Sequence, residues 1–432
     1  MLFLRTIRVV IPVVCLLALV TTVSAQTRMR MGGAPAALQF PEDREVVEVP
    51  FEYLRGKIVI PVRVNGSEPL PFVLDTGAPI AVLIDADLGE TLDLDIMGEA
   101  MVGGAGEGEA QTVPIAGNIT FDVGGIEVTG LSMAVGIGGH MMKGMTWKGV
   151  IGQPLFRDLV VDIDFIGHII KFYPPDGYTY QGNGSTVPLD VTSMGFAFVD
   201  GTVDVDGAGE IPVSLVIDIG AGHVLSLQAG SHEDLQVPEN ALPNAILGWG
   251  ANGIIRGRVG RINRLAIGGY AMDGVVVSFP DPSSHGVFGQ GGHEQKAGAS
   301  NRGLSGRHGN LGALALERFH VIFDYTHEIM ILEPNEEFND PFTFTTTGVH
   351  LKPAASGAET IEVIDVYDPS PAAEAGILAG DKIQAIDGRS VKKYTRDEIR
   401  ELLSQEPGTK MTLTIQRDGR VIKKKITLQR LI

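Results

Sequence analysis

Two apolar runs in this chain each end abruptly on an aspartate with a glycine two positions further on, and this duplication constrains the fold more than any other feature of the sequence. The first is Pro71-Phe72-Val73-Leu74-Asp75-Thr76-Gly77-Ala78 and the second Ser214-Leu215-Val216-Ile217-Asp218-Ile219-Gly220-Ala221. In each, a run with the texture of a buried strand delivers a carboxylate into a turn that glycine can make because it has no Cβ. Asp75 and Asp218 lie 143 positions apart, and the strand ends Val123-Gly124-Gly125 and Ile267-Gly268-Gly269 keep that register at an offset of 144. Gly149-Val150-Ile151-Gly152 then matches Gly309-Asn310-Leu311-Gly312, and Val161 to Phe165 matches Val321 to Tyr325, at an offset of 160. The second copy therefore carries an insertion of 16 residues, which falls in the Gly/Ser/His-rich loop Asp281 to Gly306.

At 432 residues the chain is long enough for two or three domains with cores of their own, and its 56 glycines without a collagen period point to many short strands and turns. Residues 1–25 have the form of a secretory signal: Arg5 and Arg8, the apolar centre Val9 to Val20, and Val23-Ser24-Ala25 before Gln26. The expectation is cleavage there, export to the periplasm or beyond the cell, and no membrane span afterwards. The only cysteine, Cys15, lies within this segment, so the mature chain would have no disulfide. The formal net charge is −18, and it is uneven: residues 26–340 carry 40 acidic against 18 basic side chains, whereas 341–432 carry 12 against 14. An acidic body of that size argues against nucleic acid as a partner.

The paired Asp-Thr-Gly and Asp-Ile-Gly segments, with Val150-Ile151-Gly152 and Asn310-Leu311-Gly312 behind them, resemble the active-site loops of pepsin-like and retropepsin-like aspartic proteases. The resemblance implies a mainly β, bilobal fold in which 43–185 and 186–340 form the two lobes behind a linker, 26–42. It also implies an endopeptidase in which Asp75 and Asp218 share a water, with Thr76, Gly77, Ile219 and Gly220 as the support of the pair. Like charges held that close cannot both ionise, so such a pair keeps one proton in common. In the family a hydroxyl after each aspartate bonds across to the opposite loop; Thr76 has one and Ile219 does not. Residues 341–432, with Ser370-Pro371-Ala372-Ala373-Glu374-Ala375-Gly376 as a capped helix and Thr395 to Ser404 as a second one, resemble a small α/β PDZ domain. Such a domain binds an extended or C-terminal peptide along a sheet edge; the resemblance places that groove at Gly348, Val349, His350 and Leu351, with Ile399 on the facing helix.

Glycine-rich stretches stand where flaps over a cleft would fall. Gly103, Gly104 and Gly106 belong to the first, which reads as a working lid or as a plain flexible loop. Gly248, Trp249 and Gly250 belong to the second, where Trp249 lines a pocket or packs in a core. The run Gly248 to Gly253 fits G-x-G-x-x-G but has neither the βαβ setting nor the later acidic residue of a dinucleotide site. His285, His293 and His308 match no metal-ligand spacing, so no metal or other cofactor is expected. His223, close to Asp218, either tunes its neighbour or bonds locally. Two functions follow: an aspartic endopeptidase with a PDZ module that recruits peptides or partners, or a catalytically inactive peptide-binding protein of the cell envelope, to which the missing hydroxyl at Ile219 points.

Overall fold

The computed structural model describes residues 9–10, 20–21, 37–54, 56–137, 145–284, 307–352 and 357–432. Most of the expected signal segment, much of the linker, and the loop bearing His285 and His293 lie outside the described residues.

Each half builds a sheet around its own aspartate. Ile58–Val64 and Leu70–Leu74 form an antiparallel hairpin with Val59 opposite Val73. Its turn is made by Asn65 and Gly66, both at positive φ, as an Asn-Gly pair between alternating strands predicts. Leu70–Leu74 then pairs in parallel with Gly149–Ile151, which in turn pairs antiparallel with Ala81–Leu83. The second half repeats this arrangement. Ile211–Asp218 runs parallel to Gly309–Gly312, Ile217 facing Leu311, and Leu225–Leu227 flanks the latter strand on its other side. In both halves a late strand is threaded between the one that ends on the aspartate and the one that follows it. Strands so enclosed are buried on both faces, which is why these segments are apolar throughout instead of alternating.

The two halves meet in a third sheet of six strands, ordered Ser185–Pro188, Ile329–Pro334, Phe319–Asp324, Val160–Asp164, Ile169–Tyr173 and Val47–Pro50. Its central antiparallel pair takes one strand from each half, with Asp162 opposite Ile322 at the midpoint, a local two-fold. One hydrophobic cluster runs through both halves, from Phe72 and Leu74 to Ile217 and Ile219. This is the mainly β, bilobal, pepsin-like arrangement that the duplication implied.

The C-terminal region forms a separate five-strand path, Val349–Leu351, Ile361–Val366, Lys382–Ile386, Lys410–Arg417 and Arg420–Thr427, with its own core. Two helices close it. Pro371–Glu374 is capped by the Ser370 hydroxyl, which accepts from the Ala373 N–H, and Arg396–Leu402 by a reciprocal Thr395 and Glu398 capping box. Ile399 and Leu403 point into the core. This is the PDZ arrangement of strands and helices.

The threading leaves room for nothing larger than hydrogen at two equivalent points. A Cβ on Gly152 would stand 1.9 Å from the Asp75 carbonyl oxygen, and one on Gly312 would stand 2.1 Å from that of His223. Gly152→Ala is therefore expected to destabilise the protein by at least about 1–3 kcal/mol, the range of overpacking. Gly177→Ala, where an added Cβ meets nothing within 4 Å, should stay within about 0.5 kcal/mol. Urea unfolding of the two variants checks both values.

Candidate active site

Asp75 and Asp218 sit at the ends of their strands, both with no exposed surface. The Asp75 N–H donates to the Ile151 carbonyl at 2.9 Å, which ties the aspartate to the threaded strand. The two carboxyl groups gather around Gly77, where an added Cβ would stand 3.1 Å from Asp75 Oδ1 and 3.3 Å from Asp218 Oδ1. On the opposite side a Cβ on Gly220 would lie 2.1 Å from the Asp75 carboxyl carbon. The second loop therefore requires its glycine for close approach, and at Gly77 an added Cβ would crowd both carboxyls.

Donors reach one oxygen of each carboxyl. The Gly77 N–H donates to Asp75 Oδ1 at 2.7 Å, and the Asn310 side-chain amide donates to Asp218 Oδ2 at 2.8 Å. Asp75 Oδ2 and Asp218 Oδ1 accept no hydrogen bond from the described protein, and a proton shared between the carboxyls would satisfy both. Burial, followed by the charge of Asp218, holds the Asp75 carboxyl well above the usual carboxylate range, against the opposing pull of Lys57 and the Gly77 N–H. Burial also raises Asp218, and the Asn310 amide and Lys57 restrain it. Both carboxyls thus stand above the usual carboxylate range, and of the two only Asp218 has a side-chain amide donor.

Thr76 spans the lobes. Its hydroxyl donates to the Ile217 carbonyl at 2.8 Å and accepts the Ile219 N–H at 3.1 Å. Ile219 cannot return the favour; its side chain is buried in the common core.

Three further residues belong to the site, and of these the sequence singled out His223. Asn310, which breaks the apolar pattern at the position equivalent to Val150, is the amide ligand of Asp218. His223 is bonded to Asn310 Oδ1 through Nε2 at 3.0 Å, giving the chain His223, Asn310, Asp218. Lys57, fully buried, donates from Nζ to the Gly220 carbonyl. Tyr325 is buried nearby, and its hydroxyl is held well above the usual range by burial and then by the two aspartates. His308 lies elsewhere, accepting the Ser214 N–H at 2.9 Å. Among the described residues, no group of three or more His, Cys, Asp or Glu side chains forms that could hold a metal ion.

The two glycine-rich stretches are the tips of hairpins, Asp95–Gly103 with Gln111–Val123 and Leu242–Gly250 with Gly253–Ile267. The tips meet backbone to backbone. Asn252 N–H donates to the Ala105 carbonyl at 3.0 Å, Gly108 N–H to the Asn252 carbonyl at 2.8 Å, and Gly104 N–H to Asn252 Oδ1 at 3.2 Å. A Cβ on Gly250 would stand 2.0 Å from the Ala105 oxygen. The second hairpin also touches the PDZ unit: Trp249 packs edge-on against His350 at 5.4 Å, and Arg256 lies 3.7 Å from Glu107 and 3.8 Å from Asp365.

In the PDZ unit, Gly348, Val349 and His350 are buried and Leu351 is half-buried. The Gly348 N–H donates to the Thr345 hydroxyl at 3.3 Å and the Val349 N–H to the Thr347 hydroxyl at 3.4 Å. The amides at the expected carboxylate-binding position are thus already engaged within the chain. Val349 and Ile399 share the core, whereas His350 faces the flap and Tyr367.

Comparison with known proteins agrees with this division. Residues 60–155 match the family model of an aspartyl protease, and residues 362–417 that of a PDZ domain. The chain thus carries an aspartyl protease domain followed by a PDZ domain. The first match ends before Asp218, so the second half of the site rests on geometry alone. A 59-residue stretch is 44% identical to the carboxy-terminal-processing protease of Bartonella bacilliformis and covers 14% of each chain. The chain therefore spans about a seventh of the length of that relative. Among solved structures, an aspartic proteinase from Irpex lacteus aligns with a TM-score of 0.41 at 13% identity, over 67% of this chain and 98% of the other. The photosystem II D1 C-terminal processing protease aligns with a TM-score of 0.18 at 24% identity, over 20% of this chain and 23% of the other.

Burial lowers the His223 imidazole to about 4 from its ordinary 6.5. The unfolded chain therefore binds a proton in that window that the folded chain refuses, so stability is lost as the pH falls from 6.5 to about 4, by about 3 kcal/mol in full. Unfolding free energies measured across this range should fall by about 3 kcal/mol less in His223→Gln than in the wild type, and the slope that remains comes in part from His350 and His308, which burial also lowers. At the flaps, Gly250→Ala should force the tips apart and raise amide hydrogen exchange at Asn252 and Gly108 at least about tenfold, an opening lowered by about 1.4 kcal/mol.

Proposed function

We propose that this protein is an aspartic endopeptidase, and the observation that carries this reading is the buried Asp75–Asp218 pair, delivered symmetrically by two strands and clamped across the lobes by Thr76. Asp218 is the general base and Asp75 the general acid. As a water attacks the scissile carbonyl, its proton passes to Asp218 while the Asp75 proton passes to the carbonyl oxygen, leaving a neutral gem-diol. On collapse, the Asp218 proton goes to the departing nitrogen and a gem-diol hydroxyl proton returns to Asp75, so the pair ends as it began. Asn310 holds Asp218 as the carboxylate and His223 orients Asn310. A peptide must part the flaps before it reaches the pair, because both aspartates are covered.

Both domain types bind peptide or protein chains. In this protein the PDZ module recruits a polypeptide substrate or partner, and its contact with the second flap places that event beside the lid. The molecule acts after export, in the periplasm or outside the cell, once residues 1–25 are removed. A second reading, a peptide-binding protein without activity, is favoured by one specific feature: Ile219 has no hydroxyl to complete the clamp.

Cleavage of a diverse peptide library from acidic to neutral pH tests the proposal. Asp75→Asn and Asp218→Asn should each lose at least about 10³-fold in kcat/KM, within the range expected for removing a general acid or base. Activity retained by either variant would rule out the mechanism, and a folded wild type that cleaves nothing would favour the second reading.

A further inference from the structure

A lysine ammonium with no exposed surface is costly unless it is paired, and Lys57 is such a residue. It belongs to the first lobe, at the tight turn between Glu52–Tyr53 and Ile58–Val64, where Leu54 and Lys57 exchange backbone hydrogen bonds at 2.9 and 3.1 Å. That turn is pressed against the second lobe: an added Cβ on Gly56 would lie 3.0 Å from the Gly222 Cα. From there the Lys57 side chain crosses the lobe boundary and donates to the carbonyl of Gly220, the glycine of the Asp-Ile-Gly motif that abuts the Asp75 carboxyl.

This is the side of the site that lacks a hydroxyl. Thr76 reaches from the first lobe to Ile217 and Ile219, but the Ile219 side chain has no hydroxyl to reach back. Lys57 provides a second crossing, to the same loop, from a different element of the first lobe. It differs from a hydroxyl in bringing a charge. We infer that Lys57 is a positioning residue of the active site, one that braces the Gly220 loop in place of the missing hydroxyl and sets one positive charge against the Asp75–Asp218 pair.

Several described groups stand around the pair. Asp75 comes from the first lobe and Asp218 from the second; His223 stands behind Asn310, and the Tyr325 hydroxyl lies on the six-stranded sheet side. Of these side chains only Lys57 brings a positive charge, because burial keeps His223 neutral down to about 4. The charge favours the singly ionised pair over the fully protonated one, and the doubly ionised pair over the singly ionised one. Lys57 thereby shifts the pH range in which one proton is held towards acid. This inference rests on the proposed role of the pair, but its test does not need activity.

Three variants separate charge from bracing: Lys57→Met removes both, Lys57→Gln keeps a donor without charge, and Lys57→Arg keeps the charge. The carboxyl titration of the pair is followed by infrared difference spectra, each protein against the same protein with Asp75→Asn, and the pH profile of peptide cleavage is recorded beside it. The titration midpoint is expected to rise by at least about one unit in the Met and Gln variants, a tenfold gain in proton affinity, and to stay near the wild-type value in Arg. The cleavage profile should move with it. If Lys57→Met does not fold, Lys57→Gln decides the question. A Gln variant that titrates as the wild type overturns the electrostatic role, even if activity falls. A wild type that titrates as expected and cleaves no peptide would remove the proposed activity and leave the role of Lys57 standing.

Discussion

Two carboxyl groups removed wholly from water and set against each other can persist in a folded protein only as a pair with a common proton. Two unit charges about 4 Å apart repel by about 4 kcal/mol even at an effective dielectric near 20, a large fraction of the net stability of a domain. Most of what surrounds Asp75 and Asp218 follows from that constraint. The Gly77 N–H and the Asn310 amide each satisfy one oxygen, Lys57 offsets the remaining charge, and the glycines allow the loops to approach closely enough for the proton to be shared. The threaded strands hold the two aspartates in place, because Gly152 and Gly312 seat them directly against the loops that bear the carboxylates.

The symmetry of the fold is not carried through to the chemistry. Equivalent strands deliver equivalent aspartates, yet the first loop holds Thr76 and the second Ile219, and the first threaded strand holds Val150 where the second holds Asn310. These differences put the two carboxyls in unlike surroundings. Asp218 gains a side-chain donor that Asp75 lacks, and the lobe that has lost a hydroxyl is braced by a lysine from the other. An internally duplicated chain is free to divide the work in this way, because its two halves no longer share one sequence.

The frame of the fold was legible in the sequence because it rests on local signals. Apolar runs ending on Asp-X-Gly, an Asn-Gly turn at Asn65 and Gly66, and a repeat offset that grows at one loop all survive translation into strands and register. The PDZ helices were equally visible, at Ser370 to Gly376 and at Thr395 to Ser404. Residues defined by tertiary contact were less so. Lys57 follows a glycine and looks like a solvated turn residue, and only the packing of one lobe against the other shows that it is buried. Asn310 reads as a weak match to an apolar position, although a polar residue in a doubly buried strand is itself a signal that a partner awaits it. Gly348 and Val349 occupy their expected place in the chain, but the hydroxyls of Thr345 and Thr347 that take up their amides could not be assigned from spacing.

The central claim is a single proton shared across the lobe boundary. Neutron diffraction from a deuterated crystal at mildly acidic pH tests it most directly. One deuteron is expected between Asp75 Oδ2 and Asp218 Oδ1, closer to Asp75, with the Asn310 amide directed at Asp218. Two deuterons, none, or carboxyl groups too far apart to share one would contradict it.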